Sequence, residues 1–305
     1  MLLPMDRTRR IAVTMGDAAG IGPEIARAAL ASGLLDPGFE YFVVGDLPVG
    51  TVAGHPTDTT ARAAADALEE AARLAIAREV AAVVTGPVSK SALHAVGFSF
   101  PGQTEFFAAR CGIDDFAMIL TGGPLTVGLV SIHVPLRQAI EQLSSAEIQR
   151  VGRQLACFLR LRLSREARIA VAGLNPHAGE GGTFGREEID VIAPAIERLN
   201  CAGAGASFHG PLSPDTVFHA AASGEWDGVL CMYHDQGLIP LKLLAFDAGV
   251  NVTWGLPILR TSPDHGTAFS IAGKSVARPD SMIAALRLAA ELARACERAG
   301  ANPRG

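Results

Sequence analysis

The chain has 305 residues, 49% of them hydrophobic, and carries 26 Lys plus Arg against 31 Asp plus Glu, a formal net charge of −5. That length can bury one large α/β core or two domains, and the charge excludes a broad basic field for nucleic acid while leaving room for a local anion pocket. Cys111, Cys157, Cys201, Cys231 and Cys296 are odd in number and widely spread. They form no Cys-x-x-Cys pair, which argues against a disulfide framework or a cysteine zinc site and suggests a reducing, cytoplasmic compartment. In MLLPMDRTRR the charges arrive before an apolar core long enough for a signal peptide, so export is not expected.

Taken in order, short β-branched runs alternate with longer Ala/Leu/Glu/Arg-rich ones: RIAVTM then GPEIARAAL, EYFVVG then ARAAADALEEAARLAIARE, VAAVVTG then SKSALHAVG. The alternation predicts βαβ units in a mostly parallel sheet flanked by helices, with a central cleft. Pro23 suits the first turn of a helix, where a missing N–H costs nothing. The stretch from Ala117 to Leu136, AMILTGGPLTVGLVSIHVPL, has no charged residue except His133 and is long enough to span a bilayer. Its Gly-Gly-Pro centre instead favours two strands around a turn. Ser144 and Glu147 have capping-box spacing ahead of IQRVGRQLACFLRLRL. Further helices are expected near Arg186 to Leu199, from about Asp235, and from Ser281 to Arg298. No linker, charge block or internal repeat divides the chain.

The distinctive words fall at strand ends, where ligands bind in open α/β sheets. In VAGLNPHAGEGGTFG, the glycines Gly179, Gly181 and Gly185 approximate a dinucleotide loop. Asn175, Pro176 and His177 intervene between strand and glycine, however, and glycines that only permit a tight turn explain the pattern as well. His55 and His94 lie in helical or turn-like runs without polar context and read as surface or packed residues. His133, His177 and His234 each follow an apolar strand-like run. They are either three ligands of a divalent metal with an open coordination position or three unrelated strand-end histidines. Asp235 either supports His234 or caps a helix. Lys242, Asn251 and Arg260 interrupt an otherwise apolar stretch. They either snorkel to solvent or converge on a phosphate or carboxylate.

In combination, TGPVSK, TEFF, LNPHAGEGG, MYHDQGL, GLPILRTSPDHGTA and IAGK, in this order, resemble the 4-hydroxythreonine-4-phosphate dehydrogenase family of vitamin B6 biosynthesis over nearly the whole chain. The resemblance implies an isocitrate/isopropylmalate dehydrogenase-like α/β/α fold with two subdomains. The first spans 1–103 with about 275–305, and the second about 104–274. It implies a homodimer with an active site in the interdomain cleft, completed by the second subunit. His133, His177 and His234 would hold one divalent metal ion (Zn, Mg, Mn or Co), the third coming from the partner chain. Gln103, Thr104, Lys242, Asn251 and Arg260 would contact substrate, Lys242 and Asp235 would assist catalysis, and Gly179 and Gly181 would lie near the cofactor, NAD or NADP. The implied reaction oxidises the substrate's secondary hydroxyl to a β-keto acid that loses carbon dioxide.

Two positions depart from the family pattern. Gln103 stands where the family usually has histidine, so a hydrogen bond survives there but not a proton carrier. Ala18 replaces a common proline. The chain is also short between VVGDLPVG and ARAAADALEE. Other readings are a related dehydrogenase of a four-carbon sugar-acid phosphate or of a cis-dihydrodiol carboxylate, a phosphotransacetylase-like acyltransferase, or an idle binding protein that kept the fold.

Overall fold

The structure is a computed structural model that describes residues 9–203 and 205–300. The described residues of 1–114 and 256–304 form one compact unit and 115–255 the other.

In the first unit, β1 (Arg10–Thr14) pairs in parallel with β2 (Glu40–Val44) on one side and β3 (Ala82–Thr85) on the other. Ile11, Ala12 and Val13 are fully buried, as expected for a strand covered on both faces. Helix α1 (Gly22–Leu30) starts with Pro23 in its first turn, as the sequence predicts. Helix α2 (Asp58–Ile76) opens on a capping box between Thr57 and Thr60. Two shorter helices, α3 (Lys90–Ala95) and α4 (Gln103–Cys111), follow β3.

In the second unit, the glycine-turned stretch is a hairpin of β4 (Ala117–Gly122) and β5 (Leu125–Leu129). Helix α5 (Leu136–Glu141) is short; α6 (Ser145–Leu163) is capped by Ser144, whose Oγ accepts the Glu147 N–H at 3.3 Å. The Glu147 carboxylate turns to Arg150, so only half of the predicted box is seen. After β6 (Ala167–Ala172) comes a tight turn, then a π-helical turn at Glu188–Ile192 that runs into α7 (Ala193–Cys201). The sequence predicts one regular helix across this region. Pro194 explains the difference: it has no N–H for the carbonyl one turn back and its ring crowds that carbonyl, so the preceding turn widens. The unit is completed by β7 (Ala206–Leu212), α8 (Val217–Ala222), β8 (Gly228–Cys231), α9 (His234–Ala245) and β9 (Val250–Trp254).

Strands β5, β8, β6 and β7 run parallel in that order, whereas β4 is antiparallel to both β5 and β9. The parallel pattern expected from the sequence is therefore interrupted at β4, because a two-residue turn reverses the chain where a crossover helix would be needed to keep it parallel. The core under these strands includes Leu120, Val127, Leu129, Val229 and Leu241.

The chain then returns to the first unit. There β10 (Arg260–Pro263) lies parallel to β3, and α10 (Asp280–Ala299) packs on β10 and β3. The boundaries between these compact units fall at 114/115 and 255/256. Helix α4 packs on α2, and β10 takes its place beside β3, which draws both segments into the first unit. Among the described residues, no helix is long and apolar enough to cross a membrane.

Candidate functional site

Arg260 opens β10 and is only 3% exposed. Its Nη2 donates to Thr85 Oγ1 at 2.7 Å and to Gln103 Oε1 at 3.0 Å, and its Nη1 to Thr104 Oγ1 at 3.4 Å. The guanidinium carbon stands 5.9 Å from the Phe107 ring centre. Burial lowers the guanidinium pKa to about 10 against the opposing pull of Glu105, so the group remains a cation at neutral pH. A buried cation that donates to the oxygens of Thr85, Gln103 and Thr104 is suited to an anionic ligand, because charge-assisted bonds are strongest away from water. Gln103, at the start of α4, is fixed at both ends: Nε2 donates to Gly86 O at 3.1 Å while Oε1 accepts from Arg260. Three residues that the sequence assigns to substrate, Gln103, Thr104 and Arg260, thus meet in the first unit. Thr85 joins them; it opens the word TGPVSK, although the sequence gives no role to its hydroxyl.

The second unit holds the histidines. Parallel strands β5, β8 and β6 are neighbours, so the segments after their carboxyl ends emerge on one rim. His133 follows β5 and His234 opens α9 directly after β8; their rings lie 5.7 Å apart, centre to centre. Both line a concavity of about 300 Å³ with Ser131, Leu136, Tyr233 and Asp235. The His234 Nδ1–H donates to Asp235 Oδ1 at 2.7 Å. That bond fixes the tautomer and leaves the Nε2 lone pair available, the arrangement that carboxylate–histidine pairs provide in metal sites. Two imidazoles on one concavity have the chemistry of divalent-cation donors but do not by themselves make a full ligand set.

His177 sits in the turn after β6. From His177 to Gly181 the backbone stays in the left-handed region, with φ of 53, 52, 81, 44 and 63°. For Gly179 and Gly181 this is unstrained, but each side-chain-bearing residue in such a turn costs about 1–2 kcal/mol. The turn does not run from strand directly into helix as a dinucleotide loop does; a π-turn and then α7 follow. His177 is exposed, with the Phe184 ring 6.3 Å away. Among the described residues, no three His, Cys, Asp or Glu side chains gather closely enough to hold a metal ion.

Glu188 holds this turn and had no sequence signal, since a glutamate at a helix start reads as a solvated residue. Its carboxylate is 2% exposed and accepts the Leu174 and Asn175 N–H groups, both at 2.7 Å, and Asn175 Nδ2 at 3.0 Å. Burial alone would raise its pKa, but the bonds from Asn175 and Leu174 outweigh it and hold the carboxyl below the ordinary value.

Lys242 lies in the last turn of α9, half-buried, and Asn251 lies on β9 with its Oδ1 buried and accepting no hydrogen bond among the described residues. Beyond His234, α9 presents Ile239 and Leu243, 66 and 83% exposed, and Phe246 just past its end is 71% exposed.

Comparison with known proteins matches residues 26–289 to the family model described as pyridoxal phosphate biosynthetic protein PdxA. A 4-hydroxythreonine-4-phosphate dehydrogenase of Caulobacter vibrioides is 43% identical over 329 aligned positions, covering 94% of this chain and 98% of its own. The crystal structure of the Klebsiella pneumoniae 4-hydroxythreonine-4-phosphate dehydrogenase is 38% identical, with a TM-score of 0.79 over 93% of this chain and 99% of that one. At the level of fold alone, isocitrate dehydrogenase from Methylococcus capsulatus aligns with a TM-score of 0.53 at 17% identity. The fold is therefore of the isocitrate dehydrogenase-like α/β class.

Proposed function

The chain belongs to the pyridoxal phosphate biosynthetic protein PdxA family, and on that premise we propose that it oxidises 4-hydroxythreonine 4-phosphate with a nicotinamide cofactor. The secondary hydroxyl loses a proton to the medium and a hydride to NAD or NADP. The resulting β-keto acid loses carbon dioxide to give 3-amino-2-oxopropyl phosphate. The observation that carries this reading is the buried Arg260 with Thr85, Gln103 and Thr104 around it, a cation placed to bind the anionic end of a phosphorylated substrate.

Several side chains have distinct parts in this reading. Arg260 binds and orients an anionic group, and Thr104 shares the contact. Gln103 holds the guanidinium in place while its own amide is anchored on Gly86. Asn251 offers substrate a buried oxygen that needs a donor, consistent with an amino or hydroxyl group as its partner. Lys242 supplies a second cation for substrate and for charge that develops on oxygen.

His133, His177 and His234 serve as metal ligands, with Asp235 orienting His234. When held by these residues, a divalent cation would supply Lewis-acid polarisation of the oxygen being oxidised. The exposed Ile239 and Leu243 on the helix that starts at His234, with Phe246 just past its end, give a second copy an apolar face to cover, which supports a site shared between two copies. Gly179 and Gly181 serve to turn the backbone that carries His177.

A substrate panel tests the proposal: 4-hydroxythreonine 4-phosphate, threonate and erythronate 4-phosphates, and a cis-dihydrodiol carboxylate, each with NAD and NADP. The expected result is the highest kcat/KM for 4-hydroxythreonine 4-phosphate. A higher value for any other member reassigns the substrate, and no nicotinamide reduction with any of them overturns the dehydrogenase reading.

A further inference from the structure

The left-handed turn that carries His177 is held against relaxation by one buried carboxylate at a distance in sequence. Glu188 Oε1 accepts two backbone N–H groups, those of Leu174 and Asn175, just before the turn. Its Oε2 accepts from the Asn175 side chain, whose Nδ2 also reaches Glu187 Oε2 at 2.8 Å. Beyond His177 the chain comes back onto the same carboxylate: a Cβ added to Gly179 would lie 2.7 Å from Glu188 Oε2. Glu188 therefore touches the chain on both sides of His177 and closes the turn around it. Its own placement comes from the π-turn forced by Pro194, which offsets Glu188 from where a regular helix would put it.

We propose that Glu188 is a positioning residue for His177, fixing the direction of the imidazole for metal binding; this rests on the reading of His177 as a ligand. A carboxylate is required for a definite reason. It presents two acceptor oxygens to three donors, and nothing on it donates. Glutamine would leave one oxygen for the backbone N–H groups and turn its own N–H₂ toward the Asn175 amide. Flipping Asn175 to accept that N–H₂ would break its bond to Glu187. One of these donors is then buried without a partner, and the turn, already in a conformation that side-chain-bearing residues resist, opens. Partners one step removed from a metal ligand set its orientation in this way, and their loss typically weakens metal binding about 10- to 100-fold.

The test is a titration of the full-length protein with Zn²⁺ alone in competition with a chromophoric chelator, without substrate or nicotinamide. Wild type, His177→Ala, Glu188→Gln and the double variant Glu188→Gln/His177→Ala are compared. The expected result is about 10- to 100-fold weaker binding for Glu188→Gln. A larger loss is expected for His177→Ala, and the double variant should be no weaker than His177→Ala alone. Wild-type affinity in Glu188→Gln, or a double variant weaker by the product of both losses, overturns the positioning role, since general damage would add to the loss of His177. Wild-type affinity in His177→Ala fails separately, against the ligand reading itself. If Glu188→Gln does not fold, Asn175→Ala removes one of the three bonds; several-fold weaker binding is then expected, and unchanged affinity overturns the proposal.

Discussion

The Arg260 pocket and the histidine rim represent opposite ways of building a binding site. Arg260 is buried, and the hydrogen bonds that hold it to Thr85, Gln103 and Thr104 lie within one unit of one chain. His133 and His177 are exposed, and among the described residues a single chain brings no three metal-binding side chains together. The pocket is preorganised for charge, so ordering costs little when an anion arrives. In the proposed reading, the rim presents ligands that would need a cation and a second copy before they act together.

The sharpest way to break this contrast is Arg260→Met, which keeps length and removes the charge. The expected outcome in steady-state kinetics is a fall in kcat/KM of about 100- to 1,000-fold, because a buried charge-assisted contact is worth about 3–4 kcal/mol. A loss of less than about tenfold would show that the pocket does not serve the substrate.

Next in size is Leu243→Glu on the exposed face of α9. If the rim is completed by a second copy, the charge should halve the mass seen by light scattering, and Zn²⁺ affinity should fall with it. An unchanged mass would place the copy elsewhere or remove it from the account.

Smaller is the acid limb of stability. The Glu188 carboxyl has a pKa below its ordinary 4.5, so its contribution is complete above that value and is lost as the pH falls through the lower folded value. Chemical denaturation of Glu188→Gln should therefore show about 2 kcal/mol less stability than wild type near neutral pH, and the two proteins should converge in acid. Parallel curves over that range would contradict it.

The smallest expected effect belongs to Gln103→His. A neutral imidazole can accept from Arg260, so activity above neutral pH should stay within about threefold of wild type. Below the imidazole pKa, ordinarily about 6.5 and lower beside a cation, the introduced ring would carry a like charge against Arg260, and kcat/KM should drop. Wild type should lack this inflection. Identical pH profiles would show that position 103 does not act on Arg260.

Sequence legibility divides along the same line as the two sites. The βα rhythm, Pro23 at the start of α1, the hairpin in the apolar stretch around Gly122 and Gly123 and the strand-end histidines were all readable, because each follows from local periodicity or turn chemistry. The Arg260 pocket was readable as residue types but not as a bonded set, since Thr85, Gln103 and Arg260 come from three distant segments. Glu188 was invisible. Its role depends on a π-turn caused by Pro194, six residues further on, and on a left-handed run that mixes glycines with His177, Ala178 and Glu180. Propensity rules expect neither, because both are paid for by tertiary contacts.

The most direct measurement is nicotinamide absorbance on adding 4-hydroxythreonine 4-phosphate to protein stripped of metal by chelation and then reloaded with a divalent cation. The account predicts no reduction of NAD or NADP by the stripped protein and turnover on reloading. Equal turnover in both states, or none in either, would contradict it.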